Sequence, residues 1–72
     1  MGIVILSTNL HSASRVERIS SSFNAHQKVI HWSVDLEDRD NVMRIVAQEG
    51  FAEQDAIALI GANGFIGKDL DC

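Results

Sequence analysis

Hydrophobic side chains recur along this chain at two different spacings. Residues 3–7 are apolar and β-branched, which suits a central strand. Residues 8–14 are short and polar and read as a loop. Val16, Ile19 and Phe23 then recur at helical spacing and form the dry stripe of a first helix. Ser14 reads as its N-cap, with Glu17 completing a capping box. Ser20, Ser21 and Ser22 weaken that helix, and residues 24–28 end it. Next, Ile30, Trp32, Val34 and Leu36 alternate with His31, Ser33, Asp35 and Glu37, the period of a strand with one dry face and one wet face. A charged turn, residues 37–41, leads into a second apolar run, residues 42–47, and the two predict an antiparallel hairpin.

After a break at residues 48–50 the spacing becomes helical again near Ala52. Glu53 and Asp55 place negative charge in the first turn of this second helix, where the dipole favours it. Ala56, Ile57 and Ile60 form its apolar face, and Asn63 or Gly64 suits a left-handed cap at its end. Residues 65–70 read as a short last strand. The order is β-α-β-β-α-β, and the fold expected is α+β: a ferredoxin-like sandwich with a four-stranded antiparallel sheet and two helices on one face. The predicted core is Val4, Leu6, Val16, Ile19, Phe23, Trp32, Val34, Leu36, Met43, Ile45, Ile57, Ile60 and Phe65.

Composition narrows the function classes. Seventy-two residues suit one small domain, spanning residues 1–72. A chain of this size buries only ~60% of the surface it exposes when unfolded. A hydrophobic content of 46% is that of a globular chain, and a net charge of −4 argues against nucleic-acid binding. No apolar run reaches the length of a membrane span, and residues 1–6 are too short for a signal peptide and lack a preceding base. Cys72 is the only cysteine, which fits a reducing cytoplasm.

Three stretches resemble the heavy-metal-associated, copper-chaperone-like domains. Residues 8–15, from Thr8 to Arg15, resemble the strand-to-helix loop that carries the family's MxCxxC motif. The segment from Trp32 to Asp38, with the strand around Met43 and Ile45, and the pair Gly64 and Phe65 before the last strand, follow in the family's order. The resemblance implies a metal-carrier fold, with a soft ion such as Cu(I) held by two thiolates at a helix N-terminus. Leu10 stands where the family has methionine, Ser12 where it has the first cysteine, and Arg15 where it has the second. A neutral hydroxyl is a poor soft-metal ligand, and arginine puts permanent positive charge at the cation's position.

The remaining candidates are weaker. His11 lies beside the loop and, with Cys72, is a weak metal-ligand candidate, since a lone loop histidine is usually just solvated. His26 and His31 read as surface residues. Ser12, Ser14 and Arg15 together suit a small anion, while routine capping by Ser14, with Arg15 turned to carboxylates or water, accounts for the same residues. Asp35, Glu37, Asp38 and Asp40 gather at the hairpin turn as solvated charges. No catalytic constellation stands out, so neither enzyme activity nor a cofactor is expected. Ile3, Ile5, Val42 and Val46 should face away from the helices on the central strands, a surface for a second copy of the chain or a protein partner. The leading expectation is a non-catalytic interaction domain. The alternatives are a weak metal carrier using His11 and Cys72, and a small-ligand regulatory domain of the ACT type.

Overall fold

The computed structural model describes residues 2–69. Its elements are β1 (Gly2–Thr8), α1 (Ala13–Ala25), β2 (Val29–Val34), β3 (Met43–Ala47), α2 (Glu53–Ala62) and β4 (Gly67–Asp69). The strands form one antiparallel sheet in the order β2-β3-β1-β4. The α+β, ferredoxin-like βαββαβ arrangement expected from the hydrophobic pattern is the one found. No helix among the described residues is long and apolar enough to cross a membrane.

The sheet's two faces differ because side chains alternate along a strand. Leu6, Met43, Ile45 and Ala47 point to the helices and are buried with Ile19 and Phe23 of α1 and Ala56 and Ile60 of α2. Leu10 and Phe51, in the connections before the two helices, complete this core. Val4, Val16, Trp32, Val34, Ile57 and Phe65 pack partly buried around it.

Four details of the pattern-based reading are corrected. The N-cap of α1 is Ser12, whose Oγ accepts the Arg15 N–H at 3.3 Å, so the box of Ser14 and Glu17 does not form. A β-bulge between Val29 and His31 shifts the parity of β2. Val29 therefore shares the dry face with Trp32 and Val34, and Ile30 is 53% exposed. The strand also ends at Val34, so Leu36 falls in the following turn and is 41% exposed, outside the core. Trp32 is half-buried at the sheet edge, its ring 5.8 Å from that of Phe23 and its Nε1 donating to Asn24 Oδ1 at 2.8 Å.

The second half closes as the sequence suggests. Asp55 Oδ2 accepts the Ala52 N–H at 2.7 Å, the one half of a capping box that an alanine N-cap allows. At the other end Gly64 adopts φ +88°. Its N–H donates to the Gly61 carbonyl at 3.0 Å, and the Phe65 N–H donates to the Ile60 carbonyl at 3.2 Å, which is a Schellman closure. A Cβ at Gly67 would come 2.8 Å from Ile60 Cδ1, so a larger residue there would push that side-chain end aside where β4 meets α2.

Candidate functional site

The C-terminal end of β1 carries the loop that the resemblance singles out, and both neighbouring strands hold it. Thr8 is buried. Its N–H donates to the Asp40 carbonyl at 3.0 Å, its hydroxyl donates to the Asn41 carbonyl at 2.7 Å, and its Oγ1 accepts the Leu10 N–H at 3.2 Å. Asn41 makes this turn with φ +45°, a left-handed conformation that asparagine tolerates better than most residues. On the other side, the Asn9 N–H donates to the Ile66 carbonyl at 3.2 Å, and Asn9 Oδ1 accepts the Ile66 N–H at 2.9 Å. The loop is thus tied to the approach to β3 and to the approach to β4.

Within that frame Leu10 drops fully into the core, His11 is exposed, and Ser12 spends its hydroxyl on capping α1. Arg15 lies on the first turn of α1 and folds back over the loop. Its Nη1 donates to the Asn9 carbonyl at 2.8 Å, and its guanidinium carbon sits 5.7 Å from the centroid of the Phe65 ring. The Asn9 carbonyl also accepts the His11 N–H at 3.0 Å. Arg15 therefore turns back to a carbonyl and an aromatic face, the partners found for it in place of the carboxylates expected from the sequence.

The donor set does not suit a soft cation. Ser12 offers a committed neutral oxygen, and a cation brought within about 4 Å of the guanidinium would meet a repulsion of roughly 4 kcal/mol at an effective dielectric of 20. Ser12 Oγ and Arg15 Nη1 each make one bond within the loop, to the Arg15 N–H and the Asn9 carbonyl. Among the described residues no group of three or more histidine, cysteine, aspartate and glutamate side chains is placed to hold a metal ion. His11 stands in the loop without such a group, and Cys72 lies outside the described residues. His26 packs edge-on against Phe51, with ring centroids 4.9 Å apart, and its Nδ1 accepts the Lys28 N–H at 3.1 Å.

The open face of the sheet is the second candidate. Ile3 pairs with Val46 and Ile5 with Arg44 across β1 and β3. Ile3 is 67% exposed and Ile5 38%, while Val46 is half-buried. Val42, also half-buried, sits just before β3. With Ile5, Ser33, Asp35, Asp38 and Arg44 it lines an open depression of about 450 Å³. The charged ends of this face, Asp35 on the β2 side and Lys68 on β4, were not legible as a pair in the sequence, because only the strand order puts them in one row. Nor did any sequence signal join Arg15 to Asn9 and Phe65.

In sequence, no protein-family model and no curated protein matches the chain. In structure, it is similar to the yeast copper-transporter domain Ccc2a, solved in apo and Cu(I)-loaded states, with a TM-score of 0.81 over 97% of this chain and 96% of that one, at 17% identity. The chain has the fold of that copper-transporter domain. The solved Atx1–Cu(I)–Ccc2a complex also matches, with a TM-score of 0.80, 17% identity, and coverage of 94% of this chain and 93% of that one. At this identity the likeness concerns the fold. The loop chemistry has to be read from this chain's own residues.

Proposed function

We propose that this chain is a non-catalytic interaction domain that keeps the fold of copper-carrying domains and replaces their soft-metal loop with a loop closed on itself. The observation that carries this reading is the position of Arg15, bonded at 2.8 Å to the Asn9 carbonyl and stacked near Phe65. The guanidinium supplies positive charge inside the loop, so no bound cation is needed there. A domain of this fold forms a complex with a second protein in the Atx1–Cu(I)–Ccc2a structure. We carry over the protein contact and leave out the metal. The single cysteine of the chain agrees with a reducing compartment, and the cytoplasm is the proposed location.

Cu(I) titration of the reduced protein against a chromophoric chelator tests this. The expected result is that the chelator retains the copper at every protein ratio. Tight one-to-one Cu(I) binding overturns the reading. If His11→Ala or Cys72→Ala then abolished that binding, a metal-carrier role through those residues would replace it.

A further inference from the structure

The open face of the sheet is ordered in rows. His31, Val46 and Ile3 form one, and Ser33, Arg44 and Ile5 the next. The third runs Asp35, Val42, Ser7, Lys68: the Asp35 N–H donates to the Val42 carbonyl at 2.9 Å, Ser7 follows the Leu6–Met43 pair, and Ser7 pairs with Lys68. The first row is largely aliphatic. The third ends in a carboxylate at the β2 edge and an ammonium at the β4 edge.

We propose that this face binds a second copy of the chain, through a two-fold axis that runs parallel to the strands between β1 and β3. Such an axis exchanges β1 with β3 and β2 with β4, and it keeps each row over itself. Ile3 then lies over the partner's Val46, Ile5 lies over the aliphatic stem of the partner's Arg44, and Asp35 meets the partner's Lys68. Every contact occurs twice, as an isologous interface requires. An axis across the strands would leave each strand over its own copy, so Asp35 and Lys68, at opposite edges, would never meet. Charge complementarity therefore selects the first axis, which also gives the aligned packing natural to two twisted sheets. The Asp35 carboxylate is held at its edge, because Oδ1 accepts the Glu37 N–H at 3.0 Å.

Rows about 7 Å apart and strands about 4.8 Å apart make a footprint on the order of 300–400 Å² per copy. That is below the ~800 Å² per partner of a standard interface, so the dimer is weak, with a Kd of roughly tens to hundreds of micromolar. The proposal deepens the reading of the chain as an interaction domain and rests on it. The copper titration judges the loop and self-association judges the face, so each can fail alone.

Sedimentation of the full chain from about 10 μM to about 1 mM brackets a complex of this strength. The expected result is a reversible monomer–dimer shift, weakened but not abolished in high salt. Ile3→Lys and Lys68→Glu should each raise the dissociation constant by about tenfold or more, with circular dichroism unchanged. Adding Asp35→Lys to Lys68→Glu should restore the native constant. Should that double variant lose its fold, Asp35→Asn with Lys68→Glu keeps the turn bond and should recover part of the affinity. A native chain that stays monomeric throughout overturns the proposal. So does a dimer that Lys68→Glu leaves unchanged.

Discussion

Arg15 Nη1 lies 2.8 Å from the Asn9 carbonyl oxygen, so a residue on the first turn of α1 holds the loop that leads into its own helix. The Phe65 ring, 5.7 Å from the guanidinium carbon, joins the approach to β4 to the same contact. Three segments, two of them six residues apart and the third fifty residues on, meet at one side chain.

Removing that side chain should loosen all three. Arg15→Ala is expected to lower stability by about 2–4 kcal/mol, the sum of ~1.5–3 for one charge-assisted hydrogen bond and ~0.5–1 for one partly exposed cation–π contact. At about 4–8 °C per kcal/mol for a domain this small, a thermal melt resolves it easily. Arg15→Lys should lose less, since an ammonium still donates to a carbonyl. Equal losses for the two variants would mean that both contacts need the guanidinium's reach and planar shape and not merely its charge.

Replacing Ser12 and Arg15 together by cysteine should create a Cu(I) site. The two positions lie one turn apart at the start of α1, where the helix dipole stabilises thiolates. The double variant should compete for copper with a chelator that the native chain cannot strip. If it binds no better than the native protein, then the loop, held by Asn9 and Thr8, does not present the two positions to one ion.

Trp32 packs against Phe23 and donates to Asn24, yet it is only half-buried. Trp32→Ala should therefore cost about 2–3 kcal/mol, below the ~3–5 typical of a fully buried aromatic. Trp32→Phe should cost about 1 kcal/mol, the net value of the lost hydrogen bond. Asn24→Ala should cost about the same, and the two should not add. Chemical denaturation of the three single variants and the double mutant gives the cycle.

Two glycines of α2's last turns should respond with opposite signs. Gly64 has φ +88°, so Gly64→Ala should destabilise by about 1 kcal/mol. Gly61 is helical and has no atom within 4 Å of where its Cβ would be, so Gly61→Ala should stabilise by roughly 0.5–1 kcal/mol. A melt that moved both ways together would contradict the Schellman geometry.

The element order was legible in the sequence because hydrophobic period is a local property. Residues 3–7 and 42–47 could bury one face only as strands, and Val16, Ile19 and Phe23 only on a helix. Gly64 announced its cap, and the alternation around Met43 and Ile45 assigned those residues to the core. That Ser12 and Arg15 carry no thiol was also plain from residue identity alone.

What remained needed the folded chain. The bulge that turns Ile30 outward is a choice of pairing with β3, and no spacing along β2 encodes it. Ser12 took the cap from Ser14 because Leu10, two residues before it, anchors the loop in a core filled by distant residues, as do Thr8 and Asn9 through their bonds to Asn41 and Ile66. The sequence supplied Arg15 as a charge, but its partners lie six and fifty residues away and meet only when the approach to β4 comes alongside the loop. Asp35 and Lys68 likewise share a row only because β2 and β4 are the outer strands of the sheet. Period and residue type act over a few neighbours, whereas register, capping and the pairing of charges depend on which distant segments share the space.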